Sequence, residues 1–75
     1  MSWEQFYARA TGQEKDAVRY ARGVESGSIA SSSTDLNTCL EGVTVMEKYK
    51  LFRDADEAEE MRANLRKCFE SSEEE

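Results

Sequence analysis

From Leu36 to Phe52 the chain reads LNTCLEGVTVMEKYKLF, its densest apolar stretch. Leu36, Cys39, Leu40 and Val43 fall at i, i+3, i+4 and i+7, one face of an amphipathic helix. The positions that would extend this face carry Glu47 and Lys50, while Val45, Met46, Tyr49 and Phe52 form a second stripe turned well around the helix. A helix apolar on opposite sides at its two ends must touch different neighbours along its length. The segment therefore reads as the central element around which the rest is arranged. A competing reading starts at Gly42, a candidate helix stop. Val43, Val45, Tyr49 and Leu51 alternate as a strand over 43–51 would. Only the weak SIASSS run could pair with such a strand inside the chain, so it would need a second copy. The helix is the preferred assignment.

The other segments carry their own start signals. Ser2 with Gln5 forms a capping-box pattern ahead of Trp3, Phe6, Tyr7 and Ala10, and Thr11 with Glu14 repeats it ahead of Ala17, Val18, Ala21 and Val24. A break or kink is expected at Thr11 to Gly12. Gly23 and Gly27 are the expected stop of the second helix, with Arg19 and Arg22 in its last turn. SGSIASSS, residues 26–33, is expected to be a mobile loop pinned by Ile29, with Ser32, Ser33 and Thr34 as candidate caps for the central segment. The last helix is the clearest. Asp54 is its N-cap, Ala58, Met61, Leu65, Cys68 and Phe69 mark one apolar face, and Asp56, Glu57, Glu59 and Glu60 lie around the other side. The terminal SSEEE, residues 71–75, is expected to be a disordered acidic tail. Together these signals predict an all-α fold, a small bundle of three to four short helices with a Ser-rich loop, forming one helical domain over residues 1–70.

Size makes a partner subunit attractive. A chain of 75 residues buries only about 60% of its unfolded surface, and one such core rarely supplies more than roughly 3–5 kcal/mol. Two apolar stripes on the central helix, with few helices to cover them, lead to the expectation of a homodimer through Trp3, Tyr49 and Phe52. No apolar run approaches the ~18 residues that cross a bilayer, and MSWEQFYARA lacks a basic, then apolar, leader pattern. The expected location is cytoplasmic, without membrane contact. There Cys39 and Cys68 read as free thiols on apolar helix faces, although neighbouring helices would also permit a disulfide.

Several chemistries lack their residues. There is no histidine, so Ser-His and Cys-His nucleophiles are closed, and two cysteines outside a CxxC pair do not make a zinc site. An EF-hand loop starting at Asp54 would need glycine where Glu59 stands and glutamate where Leu65 stands. P-loop and GxGxxG patterns are absent from the sequence, so the chain is expected to be non-enzymatic, with no cofactor and no metal.

Charge is unevenly placed. Residues 1–53 hold seven acidic and seven basic side chains, whereas residues 54–75 hold nine acidic and three basic ones, which accounts for the whole net charge of -6. A polarised molecule of this kind attracts a basic surface over about 8 Å in physiological salt. The leading expectation is a small acidic inhibitor or regulator. It would occupy a basic surface of a larger partner, such as a nucleic-acid-binding groove, through Asp56, Glu57, Glu59 and Glu60. Nucleic-acid mimics and small phage inhibitors share that build, an analogy of class only. A structural subunit or adaptor acting through homo-oligomerisation is the alternative. A third reading, direct nucleic-acid binding through Lys15, Arg19 and Arg22 at i, i+4 and i+7, has to overcome the molecule's negative charge.

Overall fold

Reciprocal capping boxes open the first two helices. The Ser2 hydroxyl accepts the Gln5 amide at 3.2 Å while the Ser2 amide donates to the Gln5 side chain at 3.1 Å; Thr11 and Glu14 repeat this at 3.1 and 3.0 Å. The computed structural model describes residues 2–73, with side chains through residue 70. Helix α1 spans Trp3–Arg9 and α2 Gly12–Ser26, so the chain breaks between them where the second capping box predicts. A short 3-10 turn at Ser31–Ser33 leads to α3, Leu36–Lys48, and α4 occupies Ala55–Glu73. Among the described residues the fold is all-helical, a small bundle of four helices. Residues 74 and 75, and the side chains of residues 71–73, lie outside what is described; of the expected tail at 71–75, the described backbone of residues 71–73 continues α4.

The strand alternative over 43–51 is overturned. These residues continue α3 as far as Lys48, and the chain then leaves through a tight turn in which the Lys50 amide donates to the Glu47 carbonyl and the Leu51 amide to the Met46 carbonyl, both at 3.0 Å. This pairing satisfies two of the carbonyls orphaned at a helix end. It requires a left-handed residue, and Lys50 supplies it at φ 56° where glycine is usual. Nor is Gly42 a stop. It lies buried inside α3, against the Ala17 carbonyl group and the Ala21 methyl of α2, where a side chain would collide. The absence of a Cβ lets the two helices approach closely, and α2 against α3 is the most extensive contact in the fold.

Other boundaries move as well. Asp35, not Ser32, Ser33 or Thr34, caps α3, accepting the Thr38 amide at 2.7 Å. That hydrogen bond holds the Asp35 carboxyl below its usual range. Helix α2 runs through Gly23 to Ser26 and ends on left-handed Gly27 alone, so Arg19 and Arg22 lie before its last turn. Gly23 has a different use. Its bare face receives Ile29, which is half-buried and pins the loop as expected, while the Ile29 amide donates to the Gly23 carbonyl at 3.0 Å. Asp54 caps α4 by accepting the Glu57 amide at 2.9 Å.

One core joins all four helices. Phe6 and Ala10 from α1, Val18, Ala21 and Val24 from α2, Cys39, Val43, Val45 and Met46 from α3, and Ala58, Met61 and Leu65 from α4 are buried in it. Of the two stripes of the central helix, Cys39 and Val43 of the first and Val45 and Met46 of the second are buried within the chain, while Leu36, Leu40, Tyr49 and Phe52 are half-buried. Cys39 and Cys68 are free thiols. Burial, together with the charges of Asp35 and Cys68, pushes the Cys39 thiol up to about 11.

Candidate functional site

Residues of all four helices and of the turn after α3 line one shallow cleft. Its volume is about 370 Å³, with an apolar lining of Trp3, Met46, Leu51, Phe52 and Met61. Arg22, Glu25, Glu57, Glu60 and Asn64 supply the polar lining. Each element places its contribution for a local reason. The Ser2 capping box sets the entry of α1 and so the position of Trp3. The left-handed turn at Lys50 swings Leu51 and Phe52 back towards Met46. The Asp54 cap starts α4 so that Glu57, Glu60, Met61 and Asn64 share the side facing α2.

The charged side chains of this cleft leave a small excess of acid. Glu57 is paired with Arg53, Nε to Oε2 at 2.9 Å, which raises the arginine above its ordinary range. Glu25 meets only the Asn64 amide, at 3.5 Å, and Glu60 has no ion pair among the described residues. Arg22 is the cation of the cleft, and it lies over the Trp3 ring at 4.2 Å from the centroid. Thus one face of Trp3 is already occupied by a cation.

The four carboxylates predicted to bind a partner do not form one patch. Glu57 and Glu60 line the cleft, and Asp56 is exposed one turn before Glu60. Glu59 instead accepts from Arg62 Nη1 at 2.7 Å, and Arg62 also bridges to Glu47 of α3, so this carboxylate belongs to a clamp between α3 and α4. The predicted interface aromatics divide likewise. Trp3 and Phe52 line the cleft, Phe52 also bordering a second hollow with Glu47, Lys50 and Arg53. Tyr49 is not in the cleft lining; its ring is edge-on to Phe6 at 5.1 Å and its hydroxyl donates to Glu14 Oε1 at 2.9 Å. The exposed large apolar residue is Tyr7, 49% accessible, whose ring lies 6.2 Å from that of Trp3. Along the basic stripe, Lys15 is half-buried, Arg19 lies over Tyr20 at 5.8 Å and Arg22 turns to the cleft.

Glu14 does more than cap α2. Besides the Thr11 amide it accepts the Tyr49 hydroxyl and, at 3.2 Å, Lys48 Nζ, so one carboxylate ties the α1–α2 junction to the end of α3. The Thr11 amide, then the Tyr49 hydroxyl and Lys48, hold its carboxyl down to about 2. Lys48 and Tyr49 are pushed up in return by their hydrogen bonds to Glu14. Glu25, Leu51 and Asn64 were also missed as cleft residues. They come from three different elements, and no spacing in the sequence relates them.

Compared with protein-family models, curated proteins and solved structures, the chain matches none of them. Among the described residues no helix is long and apolar enough to cross a membrane.

Proposed function

We propose that this chain is a non-enzymatic protein-binding module that docks the acidic side of α4 on a basic surface of a larger partner, as a small inhibitor or regulator would. The supporting observation is the placement of Asp56 and Glu60. They stand one turn apart, outside every ion pair of the described residues, and Glu60 lines a cleft that also holds Trp3, Leu51 and Phe52. Glu57 and Glu59 are a different case, since Arg53 and Arg62 already engage them.

The experiment is charge reversal in two stages. Asp56→Lys with Glu60→Lys changes the net charge by +4, from -6 to -2, and leaves both ion pairs intact. Adding Glu57→Lys and Glu59→Lys brings the chain to +2 but also breaks those pairs. Each acid near the helix start contributes on the order of 0.3–1 kcal/mol through the helix dipole, so the double variant should stay folded. Affinity capture from source-cell extract, compared at low and high salt, should then show a partner that the wild type holds and the double variant loses. A folded double variant that retains the same partner at full strength removes α4 from the mechanism.

A homo-oligomeric adaptor is the second reading, and the observation in its favour is the neighbouring pair of half-buried Trp3 and exposed Tyr7. Its complex would be largely indifferent to salt and would appear by light scattering as a multiple of the 8.5 kDa chain.

A further inference from the structure

We propose that the cleft between α1, α2 and α4 takes a basic amphipathic segment of the partner, one large apolar side chain entering it while Lys or Arg residues lie along Glu25 and Glu60. The inference rests on α4 being the partner-binding helix, and it specifies what that helix binds.

Three features of the cleft fit this occupant. At about 370 Å³ it is at the small end of ligand-sized clefts, roughly 300–1,000 Å³, which suits a side chain better than a drug-sized molecule. Its apolar lining includes two methionines, Met46 and Met61, whose unbranched thioethers adapt to differently shaped apolar groups. Its charge selects the flanks. With Glu57 answered by Arg53, Glu25 and Glu60 outweigh Arg22, and exposed Asp56 adds to them from the next turn. Arg22 stacked on Trp3 covers one face of the ring, so the incoming cations belong where Glu25 of α2 meets Asn64 and Glu60 of α4, and the apolar anchor beside Leu51 and Phe52. This is the helix-in-groove mode of recognition, with an apolar anchor giving affinity and basic flanks giving direction. A nucleic acid would meet these carboxylates with its phosphates, and a second copy of the chain would bring another net charge of -6. Charge complementarity favours the basic segment over both.

Trp3 is the single tryptophan, so its emission reports the cleft without a label. The probe is an end-blocked synthetic peptide of Leu and Lys patterned as an amphipathic helix. One control replaces its Leu by Gln, and another is an oligolysine of equal charge. The expected result is a saturable change in Trp3 emission with the Leu/Lys peptide and none with the Gln form. Glu25→Gln with Glu60→Gln should weaken binding roughly fivefold, the scale of two exposed charge pairs. Phe52→Ala, checked for folding by circular dichroism, should weaken it roughly tenfold. If that variant unfolds, the Gln-substituted peptide asks the same question of the wild-type protein. Equal binding of oligolysine, with Phe52→Ala indifferent, would overturn the cleft while leaving acidic α4 as the docking surface. Binding of neither basic peptide would overturn both. A peptide-independent change in Trp3 emission with protein concentration, accompanied by a doubled mass, would assign the cleft to a second copy and also overturn the proposal.

Discussion

Gly42→Ala is a substitution whose sign depends on the fold. In an isolated helix it should help, since alanine is better than glycine by about 1 kcal/mol at an interior position. In this bundle the added methyl would sit 2.7 Å from the Ala17 carbonyl carbon and 2.9 Å from the Ala21 methyl, and nearer still to the Ala17 oxygen. Nonbonded carbons rest about 3.5–4.0 Å apart, so α2 and α3 would have to separate by roughly 1 Å. The obstructing group is helix backbone and cannot rotate away. Overpacking of this kind costs about 1–3 kcal/mol, and a rigid obstacle places Gly42→Ala near the upper end. Subtracting the propensity gain leaves a net loss of about 2 kcal/mol, or a fall in Tm of roughly 8–16 °C for a domain of this size. Gly12→Ala is the matched control. Gly12 opens α2 with open space around it, so that substitution should stabilise by about 0.4–1 kcal/mol through the unfolded chain. Thermal and urea unfolding followed by circular dichroism measure both. A Gly42→Ala protein that melts at or above the wild-type temperature would refute the close crossing of α2 and α3.

Two further substitutions test the ends of the helices. Glu14 has its carboxyl held at about 2 in the folded chain against 4.5 ordinarily, so its stabilising contribution is present above 4.5 and is lost as pH falls from there through about 2. Glu14→Gln should therefore lower stability at neutral pH and flatten the acid limb of a stability-versus-pH curve. Acid limbs that superimpose would count against the Glu14–Tyr49–Lys48 tie. Lys50, left-handed at φ 56°, should be replaceable by glycine with a gain of about 1 kcal/mol, read as a higher urea midpoint with unchanged slope. A loss would mean that the Lys50 side chain contributes more than its backbone geometry costs.

Local chemistry was largely legible from the sequence where donor and acceptor lie within one helical turn, the Asp35 cap of α3 being the exception. The Ser2–Gln5 and Thr11–Glu14 boxes, the Asp54 cap and the apolar face of α4 follow from spacings of three and four residues, and the structure has all of them. The all-helical bundle follows too, because each segment carries its own start signal and periodicity. What sequence spacing could not supply was any relation between segments. Gly42 looks like a helix stop until Ala17 and Ala21 are placed against it, for a missing side chain means flexibility in isolation and close approach at a crossing. Nor does spacing say which neighbours receive the two stripes of α3, whose middle residues Cys39, Val43, Val45 and Met46 share one core with α1, α2 and α4. Four acids on one helix look equivalent until Arg53 and Arg62 engage Glu57 and Glu59 and leave Asp56 and Glu60 outside any ion pair among the described residues. Chain order alone determined which residues form helices and where most of them begin, since those choices rest on hydrogen bonds a few residues long. Tertiary packing decided which faces close on one another. Trp3, Arg22, Glu25, Phe52 and Glu60 meet in one cleft only because helices far apart in sequence bury their apolar sides together.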